Sequence, residues 1–168
     1  MKYIDWLINR EELKSYSLEE FNRDEGSVYG FMVLKLGGFT LGFIDGAGER
    51  EGDEDISFYV NQLIKCGIAL RRGEAFKVGL LNSNLLELRV HMNKFVVVEV
   101  WNIQNDTKKY TYELSLVDVI SEIESAYLKY ISEVKEINED LLQSKLTKIT
   151  SELYETFMKL LEINGNYQ

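Results

Sequence analysis

Proline is absent from this chain, and cysteine and histidine each occur once, as Cys66 and His91. So little histidine and cysteine excludes a metal centre built on those ligands, which needs several of them. A nucleophile–base pair would have to recruit His91, or a carboxylate or lysine tuned by its surroundings. A lone cysteine argues against a disulfide framework and fits a reducing compartment. No apolar run reaches about 18 residues, so no membrane span is expected. The opening Met1-Lys2-Tyr3-Ile4-Asp5-Trp6 soon meets Arg10, Glu11 and Glu12, which leaves no uninterrupted apolar segment for a signal peptide. Together these absences predict a cytoplasmic protein without cofactor or metal.

Acid is what the chain has in excess. Against 19 Lys and Arg stand 28 Asp and Glu, a formal net charge of −9 over 168 residues. Residues 1–26, 27–55, 56–114 and 115–168 carry −3, −4, +3 and −5, so a basic middle lies between acidic flanks. Nucleic-acid binding is disfavoured, because phosphate contacts need a concentrated basic surface and the pairs Arg71-Arg72 and Lys108-Lys109 are small. An apolar fraction of 45% with 12% aromatics describes a folded protein and not a disordered acidic tail. At this length the core closes without disulfides, and one integrated domain over residues 1–168 is expected.

Periodicity predicts an α+β fold. Ile4, Leu7 and Ile8 share one helical side, which reads as a short helix over residues 3–14. Ser17 and Glu20 have capping-box spacing. Residues 28–36 and 39–44 read as two strands joined by Gly37-Gly38, a pair that permits a tight hairpin. A helix over about residues 54–65 follows, with Asp53 as its N-cap. Four strand candidates come next, at 75–81, 85–92, 95–102 and 109–114, with short links that imply antiparallel pairing. Leu86, Leu88, Val90 and Met92 alternate with Glu87, Arg89 and His91, so one side is core and the other polar. Val96, Val98 and Val100 fit the core side, opposite Val97, Glu99 and Trp101. From Leu116 to Asn164 there is neither glycine nor proline. Ile120, Ile123, Tyr127, Tyr130, Val134, Ile137 and Leu141 follow helical spacing, with Ser115 as cap. One helix over this stretch would span roughly 70 Å, so a break near Asn138-Glu139-Asp140 and a helical hairpin are expected. A long helix used for dimerisation is the competing reading.

Several features invite chemistry and are better explained without it. Gly46, Gly48 and Gly52 follow a strand and precede a helix, but Glu49, Glu51 and Asp53 would place negative charge where a diphosphate should sit. An EF-hand reading from Asp45 fails because Arg50 occupies the position of the central glycine. His91 reads as a surface histidine and Cys66 as a small buried thiol. Glu87 and Glu99 would form a catalytic carboxylate pair only in a pocket that sets their pKa values apart.

A small chain with acidic balance, an acidic loop at residues 45–55 and a hydrophobic strand ending at Trp101 resembles in type the small immunity proteins of bacterial polymorphic-toxin systems. The resemblance implies binding of a cognate toxin and blocking of its active surface. The expected function is therefore a protein-binding module for a basic partner. Asp45, Glu49, Glu51, Asp53, Glu54 and Asp55 are the expected electrostatic contacts, and Trp101 the apolar anchor. The alternative is a structural or regulatory homo-oligomer built through the C-terminal helices. A small-molecule enzyme ranks third, and requires a concave pocket that gathers Glu87, His91 and Glu99.

The carboxylates around the three glycines generate a first prediction. Nucleotide titration followed by NMR should leave the amides of Gly46, Gly48 and Gly52 unmoved. Saturable shifts centred on them would restore the phosphate-loop reading.

Overall fold

Alternation, and not helical spacing, decides the first element. Trp6 and Ile8 are buried while Asp5 and Leu7 face outwards, so residues Ile4–Ile8 form strand β1 in place of the helix expected there. Ile4, Trp6 and Ile8 have a period of two that competes with the helical reading, and a partner strand settles the competition. The computed structural model describes residues 2–23, 26–42, 54–80 and 83–165. After β1 come two short helices, α1 (Arg10–Ser15) and α2 (Leu18–Arg23). Asn9 caps α1, and Ser17 with Glu20 forms the expected capping box: the Ser17 hydroxyl accepts from the Glu20 amide at 3.2 Å.

Strands β2 (Tyr29–Leu36) and β3 (Phe39–Gly42) make the expected hairpin, with Gly37 at φ +59° in its turn. β1 pairs antiparallel with β2, and the two-residue strand β4 (Glu54–Asp55) pairs with the start of β2. This first sheet is followed by α3 (Ile56–Arg71). The helix starts later and ends later than expected, since Cys66-Gly67-Ile68-Ala69-Leu70 continues it as a buried turn and a half. Its cap is Asp55 and not Asp53: the Asp55 carboxylate accepts from the Phe58 amide at 2.9 Å.

A second sheet is an antiparallel meander of β5 (Phe76–Leu80), β6 (Ser83–Met92), β7 (Val96–Asn102) and β8 (Thr107–Leu114). Val90, Val96, Val98 and Val100 are buried on its inner face as the alternation required. Met92 departs from that pattern, because it ends its strand and is 41% exposed. The two sheets touch where the β2–β3 turn meets β8. Phe39 stacks on Tyr110 at 5.5 Å, and the Gly38 amide donates to the Tyr110 hydroxyl at 3.1 Å. A Cβ on Gly37 would lie 2.7 Å from the Tyr112 ring, so this close approach requires glycine.

The C-terminal stretch breaks where expected, into α4 (Leu116–Ile137) and α5 (Lys145–Gly165) with a 3₁₀ turn at Glu139–Gln143 between them. Ser115 caps α4 by accepting from the Asp118 amide at 3.0 Å. Asn138 ends α4 in extended geometry, and its side-chain amide donates to the carbonyls of Leu13 and Tyr16. Helix α4 also clamps β1. The buried Glu122 carboxylate accepts three backbone N–H bonds, from Lys2, Tyr3 and Ile4, at 2.7–2.9 Å. Further along α4, Glu133 accepts from the Trp6 indole and Lys129 donates to Asp5.

Ile123, Tyr130, Val134 and Phe157 are fully buried, while Ile120 and Tyr127 of the same stripe are half-buried. A polar thread runs through this interior. Ser57 accepts from the Val28 amide and sits 3.2 Å from the Tyr130 hydroxyl, while the Ser144 hydroxyl donates to Thr147. Burial pushes the Tyr130 phenol up to about 12, so it acts as a neutral hydrogen-bonding group.

Replacing Ile123 by Asp should cost on the order of 4 kcal/mol or more, since a charge would enter a site without polar partners. Urea denaturation measures this, and an unchanged midpoint would show that the α3–α4–α5 packing is misassigned.

Candidate functional site

The outward face of the second sheet collects the polar residues that alternation keeps out of the core. β6 contributes Glu87, Arg89 and His91, and β7 contributes Val97, Glu99 and Trp101. The register sets Glu87 opposite Trp101, Arg89 opposite Glu99 and His91 opposite Val97. A register shift in β7 between Val100 and Trp101 brings Lys108 of β8 opposite Trp101. Helices pack on the other, apolar side of this sheet, and Lys77, Lys109, Thr111 and Glu113 are exposed on the outward one.

Trp101 is half-buried and held from two sides. The Arg89 guanidinium carbon lies 4.1 Å from the centroid of its ring. Its indole N–H donates to Glu99 Oε2 at 2.9 Å, and Lys108 Nζ reaches the other Glu99 oxygen at 2.9 Å. Arg89 is itself fixed by Glu87 at 2.6 Å and by Asp106 at 3.3 Å. Asp106 occupies the tight β7–β8 turn at φ +47°, a left-handed conformation that Asp tolerates better than most residues. The result is an aromatic surface bordered by alternating charges.

The electrostatics follow from these contacts. The Lys108 ammonium, with the Trp101 indole N–H, holds the Glu99 carboxyl below its ordinary range despite partial burial. Glu87 and Asp106 raise the Arg89 guanidinium further above its ordinary value. Glu87, His91 and Glu99 do share this face, as the enzyme reading requires. Arg89 stands between the two carboxylates, however, and each is engaged by a cation. Cys66 lies on the far side of the sheet, in α3, where burial pushes its thiol up to about 12 and keeps it protonated.

The acidic cluster expected from the sequence is only partly in view. Asp45, Glu49, Glu51 and Asp53 lie outside the described residues. Glu54 and Asp55 do not belong to an open loop: they form β4 and are half-buried. Asp55 is committed to the fold, accepting from the Phe58 amide and from the Ser27 hydroxyl at 2.8 Å. The sequence marked Trp101 but missed Arg89 as its stacking partner. The signal was the pairing of Glu87 with Trp101, and it needs the strand register. Among the described residues, no group of three or more His, Cys, Asp or Glu side chains is arranged to hold a metal ion, and no helix is long and apolar enough to cross a membrane.

No sequence profile of a known family matches the chain, and no solved structure matches it. A stretch of 95 residues, 55% of this chain, is 26% identical to reticulocyte-binding protein homolog 1 of Plasmodium falciparum. The matched stretch covers 3% of that protein, so the similarity bears on a small fraction of it.

The Glu99 contacts give a pH-dependent prediction. A carboxyl held below its ordinary value stabilises the fold above that value, and the contribution disappears as pH falls through the lowered one. Replacement of Glu99 by Gln should therefore cost about 1 kcal/mol at neutral pH. The gap to the unaltered protein should close as pH drops below the ordinary carboxyl value of 4.5. Urea melts across that range test this; a gap that stays constant with pH would remove the ion pair from the account.

Proposed function

We propose that this chain is a protein-binding module that engages its partner through the outward face of the second sheet. One observation carries the reading: a tryptophan ring is locked in place by Arg89 and Glu99 on a face that the helices leave to solvent. Trp and Arg are the side chains most often found at the energetic centre of interfaces. A ring already fixed in one orientation loses little freedom when a partner covers it. The surrounding charges suit a polar rim whose pairs are retained or exchanged on binding.

The partner class follows from charge. The chain is acidic overall, and Asp45, Glu49, Glu51 and Asp53 place four carboxylates in one short stretch of sequence. They are the electrostatic contacts in this reading, drawing in a basic protein, while Trp101 supplies the apolar anchor. The resemblance in type to small immunity proteins makes a basic toxin the first partner to test, with the bound chain obstructing the toxin's active surface. A reducing cytoplasm suits the protonated, buried Cys66.

Affinity purification from the native host isolates the partner, and surface plasmon resonance then separates the two contributions. Trp101→Ala should weaken affinity by about tenfold or more, mainly through faster dissociation. Neutralising Asp45, Glu49, Glu51 and Asp53 together should slow association at low salt and have less effect at high salt. Thermal melts must show both variants folded. A folded Trp101→Ala protein that binds with unchanged affinity would remove the sheet face as the recognition surface.

A further inference from the structure

The two sheets and α3 border a partly open apolar pocket of about 110 Å³. Its origin is geometric. At the β8 side the sheets are clasped by Phe39 on Tyr110 and by the edge contact of Tyr3 with Tyr112. On the other side α3 packs against both β2 and the β5–β6 pair, and presents Tyr59, Leu63 and Cys66 to the space between them. Short side chains, among them Val90, Val96 and Val98, line the second sheet where longer ones would have filled the gap.

The walls state what could occupy the space. Met32, Leu34, Leu63, Val90 and Val98 offer only hydrocarbon and thioether surface. Glu122 borders the cavity, but both its carboxylate oxygens already accept backbone N–H bonds from Lys2, Tyr3 and Ile4. The Cys66 thiol is buried and neutral. Gln62, Tyr3 and Tyr59 bring the other polar groups of the lining, and among the described residues no cation lines the space to neutralise a charged guest. The lining residues of β7 are buried, whereas Tyr59, Gln62, Phe76 and Val78 are only half-buried, so the way in lies between α3 and β5.

We propose that this cavity is a binding site for a small, uncharged, apolar molecule of about the size of one aromatic ring. The size follows from comparison: a dry apolar cavity of about 150 Å³ in another protein accepts benzene or xenon. The site is separate from the Trp101 face, on the opposite side of the second sheet, so neither reading depends on the other.

Benzene is the probe, and methyl-resolved NMR the measurement. Titration should give saturable shifts confined to Met32, Leu34, Leu63, Val90 and Val98, and a higher melting temperature. Benzoate, of the same ring size but charged, should give neither. Filling the space by Val98→Phe, or more gently by Cys66→Met, should abolish the benzene shifts in whichever variant remains folded. Absence of saturable shifts up to the solubility limit of benzene overturns the proposal. So does binding that persists unchanged in a folded, cavity-filled variant, or shifts centred elsewhere in the protein.

Discussion

Helix α3 is surrounded by α4, α5, β2, β5 and β6, and the closeness of that packing at Gly67 constrains everything around it. A Cβ at Gly67 would collide with Ile123 of α4, and would lie 2.8 Å from the Phe157 ring of α5. Both neighbours are fully buried, so neither has room to retreat. Glycine here is not a helix breaker, although the residue usually disfavours a helix interior. It sets the distance at which two helices approach a third, and thereby fixes α3 as the wedge between the sheets. The pocket between the sheets follows from where that wedge stands.

How much could be read from the amino acids depends on the range over which each feature is determined. The β5–β8 meander and the α4–α5 hairpin were legible because their signals are local: alternation, a cap at Ser115 and turn residues between strands. β1 was misread because Ile4, Leu7 and Ile8 satisfy helical spacing, while the alternative depends on β2, a partner some 25 residues away. The extent of α3 was misread for a related reason. A helix buried on several sides loses the polar stripe that marks its end, so the apolar run after Lys65 carried no helical periodicity to read. The shift of its cap from Asp53 to Asp55 reflects the pairing of β4 with β2, which no pattern within residues 53–58 reveals.

The site divides in the same way. That Trp101 shares a face with Glu87, Arg89 and His91 follows from alternation alone. That Arg89 covers the ring, while Glu99 accepts from its indole nitrogen, depends on the register and on a register shift in β7. Asp55 shows what composition leaves out: read as a loop carboxylate, it is half-buried in β4, where it caps α3 and accepts from the Ser27 hydroxyl. Charge counts do not distinguish a carboxylate offered to a partner from one consumed by the backbone.

The grip of Glu122 on Lys2, Tyr3 and Ile4 has a consequence for the order in which the chain assembles. These bonds join residues 118–120 positions apart, whereas the β5–β8 meander pairs strands that follow one another directly. Local pairings close small loops and form early, while distant ones wait for the intervening chain. The amides of Lys2, Tyr3 and Ile4 are made 118–120 residues ahead of Glu122, their acceptor on α4, so these bonds wait for all the chain between them. β2 becomes available sooner and can hold β1 provisionally. β1 can therefore pair with β2 before it is locked, and the contacts around Trp6 are completed only when Glu133 and Lys129 of α4 pack across them.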